Sequence, residues 1–588
     1  MKNRYTHLPV LLVSILFGTC LSGIAQTNGF VNELSDTKPR TDEATWKKQV
    51  TAPVIAWGST DVRYAKYTVP EGLSKRWKAT AWRGECINGQ AVICSAQALK
   101  GLQATASPLK SGSYTIPASA IEVSYVGYVL TDELNKDGKG GCGHRPDKSK
   151  WDSTLVADRL ETLHSLDIEA CSTRPLWIKI RIPEKTKPGV YHGQITLKAE
   201  GMKSQKLPYE VHVIGRTLPS PEKWAFHLDL WQNPYSIARF YNVELWSQEF
   251  FNLARPTMKR LAEAGQKIIT TTIMDMPWNG QTEDAFSSMV MKTKTLDGTW
   301  TYDYTVFDRW VEFMMSCGIT KQINCYTLVP WALNFDYFDM ARNKTVKIHA
   351  EPSSKEYEAY WLPFLTDFAK HLKEKGWFEK TTIAMDERPM KSMEAALAVI
   401  HKADKDFKVS GAIKYFPNIE PQIHDLCLSY GETLPDEVLK RRKEENKITT
   451  YYTCCSEAYP NTFTFSAPAE AEWIPWHALA INVDGYLRWA YNSWTSFPLQ
   501  DTRFRTWAAG DCFLVYPGGS SIRFERLIEG IQDVEKARIL RQEFKQKGET
   551  SKLKRLNDAI GKFIPENLHG LNATQMVKEG RKALQSLQ

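Results

Sequence analysis

Two adjacent carboxylates, Asp386 and Glu387, close the short apolar run Ile383-Ala384-Met385 and are followed at once by Arg388-Pro389. A proline cannot donate to a sheet ladder, so a strand through Ile383 must stop within a residue or two of Glu387. The pair therefore stands at a strand's C-terminal edge, where loops converge and chemistry is done in α/β folds. Consecutive strand residues point to opposite sides, so one acid can face the axis while its neighbour leans over the rim. Two acids in unlike surroundings can be held one ionised and one protonated, as general acid–base chemistry requires. The competing role is to cap the helix that follows, whose first turn also favours acids. The pair by itself does not separate the two.

The elements that must position this edge recur along the chain. Phe226 to Trp231 reads as a strand, and a helical stretch with Met258, Leu261 and Ala262 stops at Gly265 before the strand Ile268 to Met274. The same order returns as Phe307 to Cys317, Gly318, Ile319 to Leu328, and again as Tyr357 to Lys375, Gly376, Thr381 to Met385. Glycine just past a helix supplies the left-handed residue that ends it. After the helix Met393 to Ala403 come strands at Val409 to Tyr415, Leu426 to Ser429, Thr449 to Cys454 and Tyr486 to Ala490, with Cys512 to Tyr516 as a ninth candidate. About eight such units across residues 223–518 predict a (β/α)8 TIM-like barrel, with Asp386-Glu387 ending its fourth strand. An open doubly wound sheet ranks second, because no Gly-rich phosphate loop follows any strand.

Other strand ends carry residues suited to a sugar pocket. Asp229 belongs to the first, Trp278 to the second, Tyr326 and Trp331 to the third, Tyr415 to the fifth, Tyr452 to the seventh, and Trp489 with Asn492 to the eighth. A single aromatic after a strand is ordinarily core. Aromatics after most strands of one barrel instead predict a cup around the acids, and 20 Trp, 24 Tyr and 24 Phe in 588 residues agree with it.

The flanks read as further domains. Residues 26–215 hold alternating runs such as Ile121 to Val126 and Leu176 to Ile182 with Pro and Gly turns, which predict a β-sandwich. Thr217-Leu218-Pro219-Ser220-Pro221 is a stiff linker. In residues 519–588, Phe524, Leu527, Ile528, Ile531, Val534 and Leu540 form one apolar helical stripe that predicts C-terminal helices packed on the barrel. Met1 to Ala25, with Lys2, Arg4 and the apolar run Leu8 to Phe17, reads as a secretory signal, so export to the periplasm or the exterior is expected. That compartment permits disulfides, with Cys86–Cys94 and Cys142–Cys171 as possible pairs, while adjacent Cys454 and Cys455 read as separate core thiols. The net charge of +8 is dispersed, and its densest cluster, Lys440 to Lys443, is flanked by Glu437 and Glu444. Nucleic-acid binding is therefore not expected. No later apolar stretch is long enough for a membrane span. Asn135 to Gly141 lacks the acid spacing of a calcium loop. No CxxC or HExxH spacing occurs, and neither a metal nor a cofactor is expected.

Taken together, Pro188 to Gly193 (Pro-Gly-x-Tyr-x-Gly), His227-Leu228-Asp229-Leu230-Trp231-Gln232, Asp386-Glu387, Asp484 to Trp489 and Arg526 to Asp533 resemble glycoside hydrolase family 123 across nearly all of the mature chain. The resemblance implies an exo-acting β-N-acetylgalactosaminidase that retains configuration by substrate-assisted catalysis on glycans or glycolipids bearing terminal β-GalNAc. It implies Glu387 as general acid and base, and Asp386 as the residue that orients the substrate's 2-acetamido group. Position at strand ends adds Tyr415 or Tyr452 for the acetamido carbonyl and Trp489 for the pocket wall. The alternatives are a non-catalytic glycan-binding protein and a related β-N-acetylglucosaminidase. The sequence specifies neither the aglycone nor the oligomeric state.

Overall fold

The computed structural model describes residues 31–132, 153–505, 507–569 and 572–588. The expected signal segment, Cys142 and the loop Asn135 to Gly141 lie outside the described residues. The chain forms a strand-rich N-terminal domain, an eight-stranded parallel barrel and C-terminal helices.

Two sheets make the sandwich. One orders Val54–Gly58, Cys86–Ser95, Ser172–Arg181, Ile121–Thr131 and Thr154–Glu161, and the other is built around Trp77–Arg83, Gln205–Thr217, Gly189–Lys198 and Leu99–Ala106. Inward residues such as Leu102, Leu176, Ile178, Ile195 and Val211 fill the space between them. The first sheet is apolar on its outer face too, where Val126, Tyr128, Leu155 and Trp177 meet Ile522 of the C-terminal helix. Its last edge is closed by Ser520–Ser521, which pair with Leu160 and Arg159. The tail thus belongs to the sandwich as much as to the barrel.

Barrel strands run His227–Leu230, Ile268–Thr272, Gln322–Tyr326, Thr381–Met385, Lys408–Ala412, Asp425–Ser429, Ile448–Tyr452 and Gly485–Arg488. Cys512 to Tyr516 is not a ninth strand; it touches the ring's periphery through an isolated bridge between Phe513 and Asn492. Gly265, Gly318 and Gly376 all adopt the left-handed conformation that their helix-ending positions require. The ring is weakest between its first and second strands, where the described ladder is one bridge, Leu228 to Gln266. Side-chain amides complete that seam: Gln266 Oε1 accepts from Leu230 N at 3.0 Å, and Gln232 Oε1 accepts from Thr270 N at 2.9 Å. Loops after the second and third strands build a small extra sheet, Met291–Lys294, Trp300–Asp303, Asn334–Asp339 and Lys344–His349. Its strands are too short and polar to stand out by periodicity.

The helix Ile522–Lys547 is buried around its whole circumference from Ile522 to Ala537, not along a single stripe. Its polar residues bolt the domains together. Glu525 pairs with Lys179 at 2.8 Å and Lys536 with Glu85 at 2.8 Å on the sandwich, while Glu535 accepts from Phe226 N at 2.7 Å at the entrance to the barrel.

Neither predicted disulfide forms: Cys86, Cys94 and Cys171 are free thiols, whereas Cys455 is disulfide-bonded. Cys86 and Cys94 sit near opposite ends of one strand, and at ~3.3 Å per residue they are far beyond disulfide reach. No helix among the described residues is long and apolar enough to cross a membrane.

Gly485 lets the eighth strand lie against the first, since a Cβ there would stand 1.9 Å from the His227 carbonyl oxygen. Gly485→Ala should lower the melting temperature markedly, with a cost at or above the ~1–3 kcal/mol typical of overpacking. Calorimetry checks this, and an unchanged melting point would refute it.

Candidate active site

Every residue of the fourth barrel strand is buried, and the strand delivers Asp386 and Glu387 to the barrel mouth. The next helix, Met390–Ala403, starts behind Pro389 and has no side-chain cap, so neither acid caps it. Asp386 is instead gripped on both oxygens. Arg388 donates from Nε to Oδ1 at 3.0 Å and from Nη2 to Oδ2 at 3.1 Å, and Trp331 Nε1 donates to Oδ2 at 2.8 Å. The Arg388 guanidinium also lies 5.6 Å from the centre of the Trp331 ring, a cation–π contact. Glu387 accepts from the hydroxyl of Tyr452, which the seventh strand places at its C-terminal end.

The acids open into a cavity of about 210 Å3. Trp231, Trp278, Trp331, Tyr452, Trp489 and Trp507 supply its aromatic walls. Trp231 stacks on Trp278 with ring centres 4.8 Å apart, and Tyr326 braces both from beneath at 4.6 and 5.1 Å. On the other side Trp489 and Trp507 stand 5.7 Å apart. Trp489 Nε1 donates to Asp511 at 3.2 Å, and the fully buried Arg488 holds that carboxylate at 2.6 Å, so the indole cannot swing freely.

Burial pushes the Asp386 carboxyl above its ordinary range, and the Arg388 charge opposes that shift. Glu387 is also raised, first by burial and then by the Asp386 charge. Glu387 is an exposed residue by area, yet the cavity walls still withhold enough water from its carboxyl to favour the protonated form.

Several sequence-derived residues lie elsewhere. Tyr415 falls outside the cavity, half-buried against the main core, because the fifth strand ends at Ala412 and not at Tyr415. Asn492 is fully buried and ties chain segments together, accepting from Asn233 N at 2.9 Å and donating to Asn233 O at 2.8 Å. Asp229 points into the barrel interior, where burial and the nearby Asp425 carboxylate raise it well above the usual range. Tyr326 is a buried support below the cavity and does not line it. Trp278, Trp331, Tyr452 and Trp489 do line it. Sequence reasoning missed Arg388, although it sits beside the acids, and it missed Gln281 and Trp507, which lie on long loops without periodicity to mark them.

A parallel barrel with paired acids at its C-terminal mouth inside an aromatic cup has the layout of a glycan-processing hydrolase. The catalytic-domain model of glycoside hydrolase family 123 matches residues 231–540, and that family's N-terminal-domain model matches residues 57–199. The chain belongs to glycoside hydrolase family 123. Among solved structures it is similar to a family 123 glycoside hydrolase from Clostridium perfringens studied for glycolipid glycan hydrolysis, with 27% identity, a TM-score of 0.81, and coverage of 91% of this chain and 97% of that one. A Bacteroides ovatus family 5 xyloglucanase aligns at 8% identity and a TM-score of 0.28, over 78% of this chain and 98% of that one, too weakly to carry an argument. No curated protein sequence matches significantly.

Because Glu387 holds its proton more tightly folded than unfolded, its contribution to stability is fully present below 4.5 and is lost as pH rises through the raised native value. Glu387→Gln should therefore melt above the wild type near neutral pH, and the gap should close on acidification. A gap that stays constant or widens in acid would contradict the assignment.

Proposed function

We propose that this glycoside hydrolase removes terminal β-linked N-acetylgalactosamine from glycans or glycolipids, one residue at a time, with the substrate's own acetamido oxygen as nucleophile. The observation that carries the reading is that Asp386 and Glu387, adjacent on one strand end, are the only carboxylates among the described residues lining the cavity. A retaining enzyme with its own nucleophile needs a second carboxyl group roughly 5 Å away across the sugar. Neighbours on one strand are poorly placed to flank an anomeric carbon in that way. The cavity is also below the ~300–1,000 Å3 of pockets for larger ligands, which suits a single terminal sugar.

Each residue then has a definite task. Glu387, held toward its protonated form, gives its proton to the leaving glycosidic oxygen while the acetamido carbonyl oxygen bonds to the anomeric carbon and the glycosidic bond breaks. Water, losing a proton to Glu387, then attacks that carbon, and the acetamido oxygen departs to restore the amide. Asp386 steadies the acetamido N–H as positive charge grows on the ring being formed. A carboxylate offers about four acceptor positions. Arg388 and Trp331 fill three, two on Oδ2 and one on Oδ1, which leaves one on Oδ1 for the substrate. Among the described residues lining the cavity, Tyr452 carries the hydroxyl that can turn from Glu387 to the acetamido oxygen. We further propose that the enzyme acts after export, on the strength of the N-terminal sequence.

Turnover of 4-nitrophenyl β-GalNAc beside its GlcNAc counterpart tests the specificity; preference for GlcNAc or absence of turnover would overturn the reading. Glu387→Gln should cost about 10²–10⁴-fold on substrates with poor leaving groups and much less on the nitrophenyl substrate. Asp386→Asn should slow both, and a thiazoline mimic of the cyclised sugar should inhibit. Arg388→Met, by removing the charge that opposes the rise at Asp386, should move the acid limb of the pH–rate profile to higher pH. An unmoved limb would separate Arg388 from the ionisation of Asp386.

A further inference from the structure

The end of the barrel opposite the acids holds a larger cavity of about 710 Å3. The N-terminal ends of the strands and the loops feeding them line it with Lys321, Lys380, Lys408, Lys443 and Lys447. Only two carboxylates, Glu379 and Asp484, stand among its described lining residues. Most of the ammonium groups rest on neutral oxygens. Lys380 donates to Thr320 O at 3.3 Å, Lys443 to Asn482 Oδ1 at 2.5 Å, and Lys447 to Pro421 O at 2.7 Å. Lys447 also pairs with Glu445 at 2.7 Å, and Lys408 with Glu379 at 3.4 Å. Lys321 has no hydrogen bond or ion pair among the described residues. Positive charge therefore exceeds negative charge inside a concave, partly dehydrated site, where the field is focused rather than dispersed.

Burial and the nearby cations both act on the surrounding groups, against neighbouring carboxylates. His424, on the cavity wall, is held below the ordinary histidine value by burial and by the charges of Lys408, Arg442 and His227, with Asp425 opposing. Lys443 is lowered by burial and by Arg538, Arg541 and Lys545 on the adjoining helix, with Asp484 opposing. Lys267 falls to about 8 chiefly through burial, with the Lys321 charge adding to the fall and Glu535 and Glu222 opposing it.

We propose that this cavity is a second, non-catalytic site that binds an anionic saccharide carrying sulfate or phosphate esters. The saccharide part rests on the glycan-processing reading above, and the anion part rests on the cavity alone. Lysines act as compact point charges able to meet the oxygens of a tetrahedral oxyanion from several directions, and they are the cationic side chains that dominate the described lining residues. The volume lies within the ~300–1,000 Å3 of small-molecule sites and is far too large for a lone ion. A chain of this kind would grip a charged glycan at one end of the barrel while trimming a neutral terminal sugar at the other.

Titration calorimetry on the whole protein at low salt tests this with a sulfated tetrasaccharide, a phosphorylated oligosaccharide of equal length, the unsubstituted sugar and inorganic sulfate. The esterified sugars should bind, with the stronger of the two identifying the ester, and the unsubstituted sugar should not. The Lys321→Glu, Lys408→Glu double variant should weaken binding about tenfold or more, with turnover of the nitrophenyl substrate unchanged. The milder Lys408→Gln, Lys443→Gln pair should weaken it less, and the His424 imidazole should titrate at higher pH when the cavity is filled. Equal affinity in wild type and double variant, inorganic sulfate binding as tightly as the saccharides, or no binding of either ester would overturn the proposal. Binding is read without turnover, so failure to hydrolyse GalNAc would bear on the acids at the barrel mouth and not on this cavity.

Discussion

Everything at the barrel mouth depends on keeping one carboxylate dehydrated and yet usable. Burial drives Asp386 toward its neutral form, and an unpaired charge there would be costly. Arg388 and Trp331 answer with three hydrogen bonds from two directions. These contacts fix the carboxylate's plane, leave one acceptor position facing the cavity, and place a charge beside Glu387 that favours its proton. The two acids are chemically similar and adjacent in sequence. Their different partners, Arg388 and Trp331 for one and Tyr452 for the other, give them unlike surroundings.

The same principle, buried charge matched by buried partners, joins the domains. From Ile522 to Ala537 the long C-terminal helix passes between sandwich and barrel with both its apolar and its charged residues out of water. Arg523 meets Asp158 at 2.9 Å, Arg526 meets Asp61 at 2.7 Å, and Arg581 from the last helix reaches Glu472 at 2.5 Å. Such pairs give little net stability compared with an apolar interface, but losing one partner is expensive, so they enforce one arrangement. The sandwich also grips the segment that leads to Trp507 and Asp511, with Leu130 N donating to Gln500 O at 2.8 Å and Thr502 N donating to Leu130 O at 3.1 Å.

The two ends of the barrel differ in kind. At the C-terminal mouth aromatic rings surround two acids in a small cup, while the N-terminal end has lysines around a wider hollow. Between them the interior holds buried polar side chains, among them Gln322, which donates to Asn324 at 2.9 Å and Asp425 at 2.8 Å. The ends are thus separate sites on one scaffold.

The sequence by itself determined the local events. Pro389 had to stop the fourth strand at the acids, and Gly265, Gly318 and Gly376 had to end their helices, because φ and hydrogen-bond constraints act within a few residues. The order of strands and helices, and hence the barrel, followed from that punctuation. Which aromatics face the cavity was decided by tertiary structure alone. Tyr415 and Tyr452 look alike as residues near strand ends, but the fifth strand stops three residues short of Tyr415 and the seventh ends on Tyr452. Trp507 joined the wall from a loop tethered far along the chain, its indole N–H donating to Gln281 O at 3.0 Å. The burial of the C-terminal helix's charged face was equally invisible, because periodicity records which residues avoid water and says nothing of which charges will find partners far along the chain.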